Sequence, residues 1–168
     1  MHAFYLNVTA MERDLNDWFT YNHEANVETI AALREAPHPT DKALSIMGHV
    51  LNAHRVWLHR IHPLEKEAPQ PWQANDPATF AATNDRLLRD TRLYLQSGAF
   101  GLSLHKPITY TNTKGERFEN TILEIFFQIL AHSAYHRGQL ALMLRQDGVA
   151  PPLTDYIFLR RNPQPVLS

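Results

Sequence analysis

The sequence predicts an all-α fold, a four-helix bundle with a small β-hairpin before the fourth helix. Three observations support this fold class. Apolar side chains recur at steps of three and four residues in four long stretches, prolines separate the first of these stretches, and one short segment has strand-forming residues around a turn. Helices with one apolar stripe bury it against each other, so four of them form a bundle. We expect one domain over residues 1–168.

Prolines bound the first two predicted helices. The first helix covers residues 9–35 and ends before two closely spaced prolines. Thr40 or Asp41 can cap the second helix, residues 42–62, because both side chains accept hydrogen bonds from free N–H groups at a helix start. Pro63 terminates that helix.

A long proline-rich loop leads to the third predicted helix. Loops of this length are uncommon in bundles, and this one either crosses over the bundle or covers a pocket. Asn75 or Asp76 caps the third helix, with Pro77 at its favoured first position, and the helix continues to about residue 96.

The segment 102–119 changes from helical to strand-like patterning. Ile108, Tyr110 and Phe118 flank a turn at Lys114-Gly115, which is typical of a hairpin.

The fourth predicted helix begins at residue 120 or 121 and continues to about residue 146. Thr121 followed by Glu124 resembles a capping box, and Gly148 ends the helix. The tail at residues 156–159 is apolar enough to dock on the bundle.

Composition excludes several functional classes. The apolar and charged fractions, 44% and 20%, are ordinary for a globular protein, and the net charge of −1 gives no basic field for nucleic acid. Because the chain has no cysteine, disulfides, thiolate metal sites and a cysteine nucleophile are excluded. No apolar run approaches the length of a membrane span, and no signal peptide is visible. We therefore expect a cytoplasmic protein.

Histidine is the informative residue, with ten in the chain. His132 and His136 lie four residues apart on the predicted fourth helix, a spacing that stacks both imidazoles on one face where they can reach one metal ion. On the second helix, His54 lies near the centre of the apolar stripe around Trp57, whereas His49 lies well round from it. Periodicity alone favours His54 as a third ligand, and a core histidine bonded to a neighbouring helix is an equally good interpretation.

Three segments resemble one family. Residues 131–140, AHSAYHRGQL, resemble the HxxxHRGQ signature of the DinB family, metal-binding bundle proteins that are grouped with bacillithiol- and mycothiol-dependent transferases. Residues 46–58 resemble the family's second-helix motif, in which the first histidine is the ligand. Residues 21–26 resemble its first-helix YNxxAN stretch, with Glu24 where the family usually has an aromatic residue.

The resemblance implies a metal site and, with it, an activity. Carried over to this sequence, the ligands are His49, His132 and His136, holding one divalent transition metal (zinc, nickel or iron) with open coordination positions. The implied function is a metal-dependent enzyme, a thiol-dependent S-transferase or a related isomerase or hydrolase, with a low-molecular-weight thiol as cosubstrate and a small electrophile as substrate. The resemblance also implies a homodimer. No catalytic residue is assigned.

Two other functions are compatible with the same residues. One is a non-catalytic metal or small-ligand binding protein of a stress response. The other is an interaction module in which the histidines are core residues. Metal content and turnover distinguish the three functions.

Overall fold

Long helices and one short hairpin make up the part of the chain that the computed structural model describes, residues 2–63, 69–97, 100–112 and 114–161. The elements, in chain order, are α1 (His2–Glu35), α2 (Asp41–Ile61), a 3-10 turn (Pro77–Thr79), α3 (Phe80–Leu95), α4 (Phe100–Ser103), β1 (Pro107–Thr111), β2 (Arg117–Thr121), α5 (Ile122–Gln146) and α6 (Tyr156–Arg160). The predicted fold class, mainly helical with a hairpin before the last long helix, is confirmed. Within the described ranges, no helix combines the length and apolarity needed to cross a membrane.

Two predicted helix starts are confirmed at the level of hydrogen bonds. The Thr40 hydroxyl accepts a hydrogen bond from the Ala43 backbone N–H (3.2 Å) and caps α2. Thr121 and Glu124 form a reciprocal capping box at α5, since each side chain bonds the other residue's backbone N–H. These contacts satisfy N–H groups that have no partner within the helix.

Of the other two predicted helix starts, the first is wrong, and the second is correct in its cap but begins with a 3-10 turn. Helix α1 begins at His2 rather than near residue 9, because the preceding residues include no proline or glycine that would end it. Asp76 accepts a hydrogen bond from the Ala78 N–H, but it caps the 3-10 turn, and α3 itself starts only at Phe80. Tight 3-10 turns of this kind are frequent at helix N-termini.

The four long helices enclose a core between two opposed pairs. Helix α5 packs on α1 and α2, and α3 packs on the same two helices from the opposite side. One core cluster gathers around Met47 and Leu140, and a second gathers around Phe19 and Phe126. This arrangement puts α2 beside α5, and these are the two helices that carry the candidate metal ligands.

The hairpin lies against α2. Strands β1 and β2 pair antiparallel with Tyr110 opposite Phe118, and Gly115 takes the positive φ (83°) that the turn requires. The Tyr110 ring meets the Trp57 ring of α2 edge-on, with centroids 5.2 Å apart. The hairpin therefore forms one wall beside α2.

The C-terminal tail docks on α1 as predicted, and the Tyr156 ring of α6 meets the Tyr21 ring of α1 edge-on, with centroids 5.1 Å apart. Ile157 and Phe158 of α6 are exposed to solvent. In addition, Arg160 donates to the Glu24 carboxylate at 2.7 Å and also pairs with Asp17. Glu24, which stands where the family usually has an aromatic residue, thus anchors the tail through charge.

Candidate metal centre

Three imidazoles from two helices converge at one point. His49 of α2 lies opposite His132 and His136 of α5, and the three candidate ligand nitrogens lie within 4.8 Å of one another. The Nε2 of His132 is 3.1 Å from Nε2 of His49 and 3.2 Å from Nε2 of His136. Their i, i+4 spacing places the two α5 histidines on the face that α2 packs against.

These separations fit the coordination shell of a transition metal. With metal–nitrogen bonds of about 2.05 Å, neighbouring ligand nitrogens lie ~3.3 Å apart in a tetrahedron and ~2.9 Å apart in an octahedron. The two observed Nε2–Nε2 distances, 3.1 and 3.2 Å, fall between these values. The residues present therefore fit a divalent ion held by three imidazoles.

Hydrogen bonds fix which nitrogen is free in the rings of His49 and His136. The Nδ1 of His49 donates to the carbonyl oxygen of Pro71 (2.8 Å), and Nδ1 of His136 donates to the side-chain oxygen of Gln139 (2.8 Å). Since each acceptor oxygen requires the proton on Nδ1, the Nε2 lone pairs of both rings are available. Such contacts are the usual way proteins orient metal-binding histidines.

Burial favours the neutral form of the His49 and His132 rings. Burial, reinforced by the neighbouring His136 and His49, lowers the pKa of His132 to about 4. Burial also lowers the pKa of His49, although its hydrogen bond to the Pro71 carbonyl opposes the shift. Neutral imidazoles are the form that binds metals, so near neutral pH both rings are prepared for a cation.

The loop before α3 covers His49. The Trp72 ring stacks on the His49 imidazole with centroids 3.6 Å apart and planes 6° from parallel. Trp72 remains 61% exposed, so this ring forms an outer cover of the site. The expectation that the long loop covers a pocket agrees with this placement, but the role of Trp72 was missed.

The same loop is fastened to α2 by amide side chains. Asn52, buried on α2, donates to the Gln73 carbonyl (3.0 Å), and the Asn75 amide lies against Gly48. A Cβ at Gly48 would meet the Asn75 nitrogen at 3.0 Å, so glycine permits this close approach. These contacts hold the Pro71 carbonyl and Trp72 in position over His49.

A pocket opens next to the three histidines. Its volume is about 340 Å³, within the range of small-molecule sites. Its lining comes from α2, α5, the hairpin and the loop: His49, Ala53, Val56, Trp57, Arg60, Pro71, Tyr110, Asn112, Phe118, Gln128 and His132. A smaller cavity of about 110 Å³ between α2 and α3 is not lined by any of the three converging histidines. The larger pocket is therefore the one that gives access to the candidate metal centre.

Comparison with known proteins identifies the family. The sequence model of the DinB family matches residues 11–165, which is most of the chain. The chain belongs to the DinB family. It is also similar to Protein DinB of Bacillus subtilis (strain 168), with 24% identity over 152 residues that cover 82% of this chain and 88% of that protein. Family membership and the three-histidine cluster fit a metal-binding DinB protein.

His54, the other candidate from periodicity, lies apart from the cluster in this DinB chain. It is buried, packs on the Phe19 ring, and its Nε2 bonds the Thr91 hydroxyl at 3.0 Å. Thr91 donates to the Leu87 carbonyl, so it accepts from His54. His54 is a core histidine, which was the second interpretation of its position. The centre of an apolar stripe faces the core, whereas His49 at the stripe's edge faces the pocket.

His54 makes the metal-free DinB fold sensitive to acid. Burial lowers its pKa from 6.5 to about 4, so the unfolded chain takes up this proton first as pH falls. The resulting loss of stability begins as pH falls through 6.5, the pKa of His54 in the unfolded chain, and continues toward about 4, its pKa in the folded protein. At about pH 5 it amounts to about 2 kcal/mol from this residue. Urea unfolding should show that the free energy of unfolding falls between neutral pH and about pH 5. This fall should be about 2 kcal/mol smaller in His54→Leu than in the wild type.

An exposed histidine provides the control for this measurement. His105→Leu should keep the wild-type difference between neutral and acid pH. An unchanged drop in His54→Leu would contradict the assignment of the acid sensitivity to His54.

Gln139 contacts a proposed ligand and should tune metal affinity. In Gln139→Met the Nδ1–H of His136 loses its acceptor, so ring orientation and basicity change. We expect metal affinity to fall by about tenfold or more, as for other groups that hold a ligating histidine. Competition with a chromogenic chelator measures this, with Gln146→Met at the exposed end of α5 as the matched control. Equal affinities of the two variants would contradict the prediction.

Proposed function

We propose that this DinB protein is a divalent-metal-dependent enzyme that transfers a small thiol to an electrophile. The observation that carries the proposal is the convergence of three Nε2 atoms beside an open pocket. Three imidazole ligands leave coordination positions for exchangeable groups, whereas structural zinc sites are usually closed by four protein ligands. Zinc, nickel and iron are all suited to imidazole.

The thiol chemistry is supported by the family's grouping with bacillithiol- and mycothiol-dependent transferases. In the reaction, the thiol loses its proton to solvent, its sulfur forms a carbon–sulfur bond, and the leaving group departs from that carbon with the electron pair. A bound divalent ion would lower the pKa of the thiol and stabilise the developing anion. His49, His132 and His136 would hold the ion, and the pocket walls would orient the electrophile.

The experiment begins with protein purified without a histidine tag. Metal content is measured by mass spectrometry. The protein is then assayed with bacillithiol, mycothiol or glutathione as the thiol and monochlorobimane as the electrophile, which becomes fluorescent when the thiol sulfur displaces its chloride into solvent. We expect about one equivalent of metal and a rate that a chelator abolishes and added metal restores. Stoichiometric metal without any metal-dependent rate would favour the non-catalytic binding protein. Absence of metal binding would favour the interaction module.

We also propose a homodimer formed through the outer face of α5. Phe127, Tyr135 and Leu142 are well exposed on this helix, and within residues 127–142 the one formally charged residue, Arg137, is buried. Because the stretch of this face between Glu124 and Arg145 carries no exposed charge, the same stretch of a second copy meets no like-charge repulsion there. Self-complementary contacts of this kind are typical of two-fold dimers.

Light scattering tests the dimer directly. Wild-type protein should elute with twice the mass of one chain, and Leu142→Glu should shift it toward the monomer by burying an unpaired carboxylate in the interface. Leu93→Glu on α3 is the control, since Leu93 is similarly exposed (64%, against 56% for Leu142) but lies on another helix. Monomeric wild-type protein would contradict the proposal.

A further inference from the structure

Arg60 is the one Lys or Arg residue among the described residues that line the pocket beside the candidate metal centre. The guanidinium of Arg60 lies 4.4 Å from the centroid of the Trp57 ring and 4.2 Å from that of Tyr110. These two rings hold the planar group between α2 and the hairpin. Because the two rings are nearly perpendicular (84°), they contact the guanidinium from two directions and fix its position beside the pocket.

Among the residues that the structure describes, no acidic side chain compensates the charge of Arg60. Within the described ranges of the chain, no carboxylate forms an ion pair or hydrogen bond with Arg60, and no carboxylate is among the described lining residues of the pocket. Partial burial lowers the pKa of Arg60, although the nearby Tyr110 opposes this shift. A half-buried guanidinium without a carboxylate partner favours an anion that comes from outside the chain.

Helix geometry aligns this cation with the histidines. His49, Ala53, Val56 and Arg60 are separated by steps of four, three and four residues, so they share one face of α2 along the pocket. Because the Ala53 side chain is small, it leaves room in the pocket between His49 and Arg60. The Arg60 guanidinium reaches back over Trp57, which lies eight residues, or ~12 Å along the helix axis, from His49.

We propose that the pocket takes a small carboxylate-bearing molecule, whose acid group binds Arg60 while its reactive end lies at the three histidines. This inference rests on the proposed function and names the substrate class of the same site. The planar fork of one guanidinium matches the two oxygens of a carboxylate. A ligand that contacts both the three histidines and the Arg60 guanidinium must be ~10 Å long, and a single small anion is too short to do so.

Two thiol probes that differ only at the far end test the assignment. Mercaptohexanoate carries a carboxylate opposite its thiol, and mercaptohexanol carries a neutral hydroxyl there. Calorimetry on metal-loaded protein should show about tenfold tighter binding of mercaptohexanoate, the size expected for one charge-assisted contact. Arg60→Met, which keeps a long side chain between the two rings, should abolish this preference and leave the affinity for mercaptohexanol unchanged.

Arg89→Met provides the matched control, because Arg89 is an exposed arginine on α3 outside the pocket. It should retain the tenfold preference. Metal content is measured in every variant, so a failed metal centre is recognised separately from a failed carboxylate site. If the chain takes up no metal, the affinities of hexanoate and hexanol for the metal-free protein are compared instead. The acid should again bind about tenfold more tightly than the alcohol. Equal binding of the acid and the alcohol, or a preference that survives in Arg60→Met, overturns the proposal.

Discussion

His132→Ala is expected to abolish stoichiometric metal binding. The Nε2 of His132 is the atom shared by both short contacts, 3.1 Å to His49 and 3.2 Å to His136. Without it, two imidazoles from different helices remain, and a metal would have to replace the third ligand with water. Because the loss of a group that merely orients a ligand lowers affinity 10- to 100-fold, we expect removal of the ligand itself to cost ~100-fold or more.

Two measurements on untagged protein check this result. Metal content should fall from about one equivalent to near zero. In thermal unfolding, metal at about one hundred times its dissociation constant should stabilise the wild type by ~2.7 kcal/mol, which raises the melting temperature by roughly 5–10 °C. The variant should show no such rise.

The metal-free forms separate lost ligation from misfolding. His132 is only half-buried and lies in a crowded group of imidazoles, so the metal-free variant should unfold within about 1 kcal/mol of the metal-free wild type. His105→Ala, at an exposed position, should keep the full response to metal. Wild-type metal affinity in His132→Ala would contradict the proposed centre.

The features predicted correctly from sequence are those determined by neighbouring residues. The caps at Thr40 and Thr121 and the turn at Gly115 each depend on contacts within a few positions. Similarly, the inward direction of His132 and His136 follows from their spacing on one helix. Local hydrogen bonding and helical periodicity were sufficient for these predictions.

The features that were missed depend on contacts between distant segments. Periodicity measures how central a residue is in an apolar stripe, so it favoured His54 over His49, although a site between helices lies at the stripe's edge. Trp72 and the Pro71 carbonyl reach His49 from a loop about 22 residues away, and no local pattern encodes that approach. Arg60 looks like an ordinary charge at a helix end until the hairpin brings the Tyr110 ring to it.

Arg137 shows how the α5 signature also serves the fold. Its side chain is 3% exposed, and its guanidinium donates to Asn22 Oδ1 at 2.6 Å, Asn26 Oδ1 at 2.9 Å and the Tyr21 hydroxyl at 3.2 Å. These hydrogen bonds form a buried contact between α5 and α1. The first-helix YNxxAN residues are therefore the acceptors for the arginine that follows His136.

Arg137→Ala is expected to lower the free energy of unfolding by about 3–5 kcal/mol. The substitution leaves two buried amide oxygens without their donor, at ~1–3 kcal/mol each, and creates a cavity between α5 and α1. Urea unfolding of metal-free protein measures this effect without any contribution from the centre. Arg145→Ala at the exposed end of α5 should change stability by less than about 0.5 kcal/mol.

A small effect of Arg137→Ala would mean that water or a local rearrangement satisfies Asn22 and Asn26 when the guanidinium is absent. The buried charge has a second consequence, since the amides and the phenol that receive its hydrogen bonds are neutral. Removing the arginine therefore removes a desolvation cost together with its hydrogen bonds, and the measured loss is the difference between them. Arg137→Met in an Asn22→Leu background tests the contribution of the lost hydrogen bonds, because it removes one of the two buried acceptors and keeps Asn26, whose amide donates to Asn84 Oδ1. Recovery of stability in that variant would show that the unpaired amides, rather than the lost charge, dominate the effect.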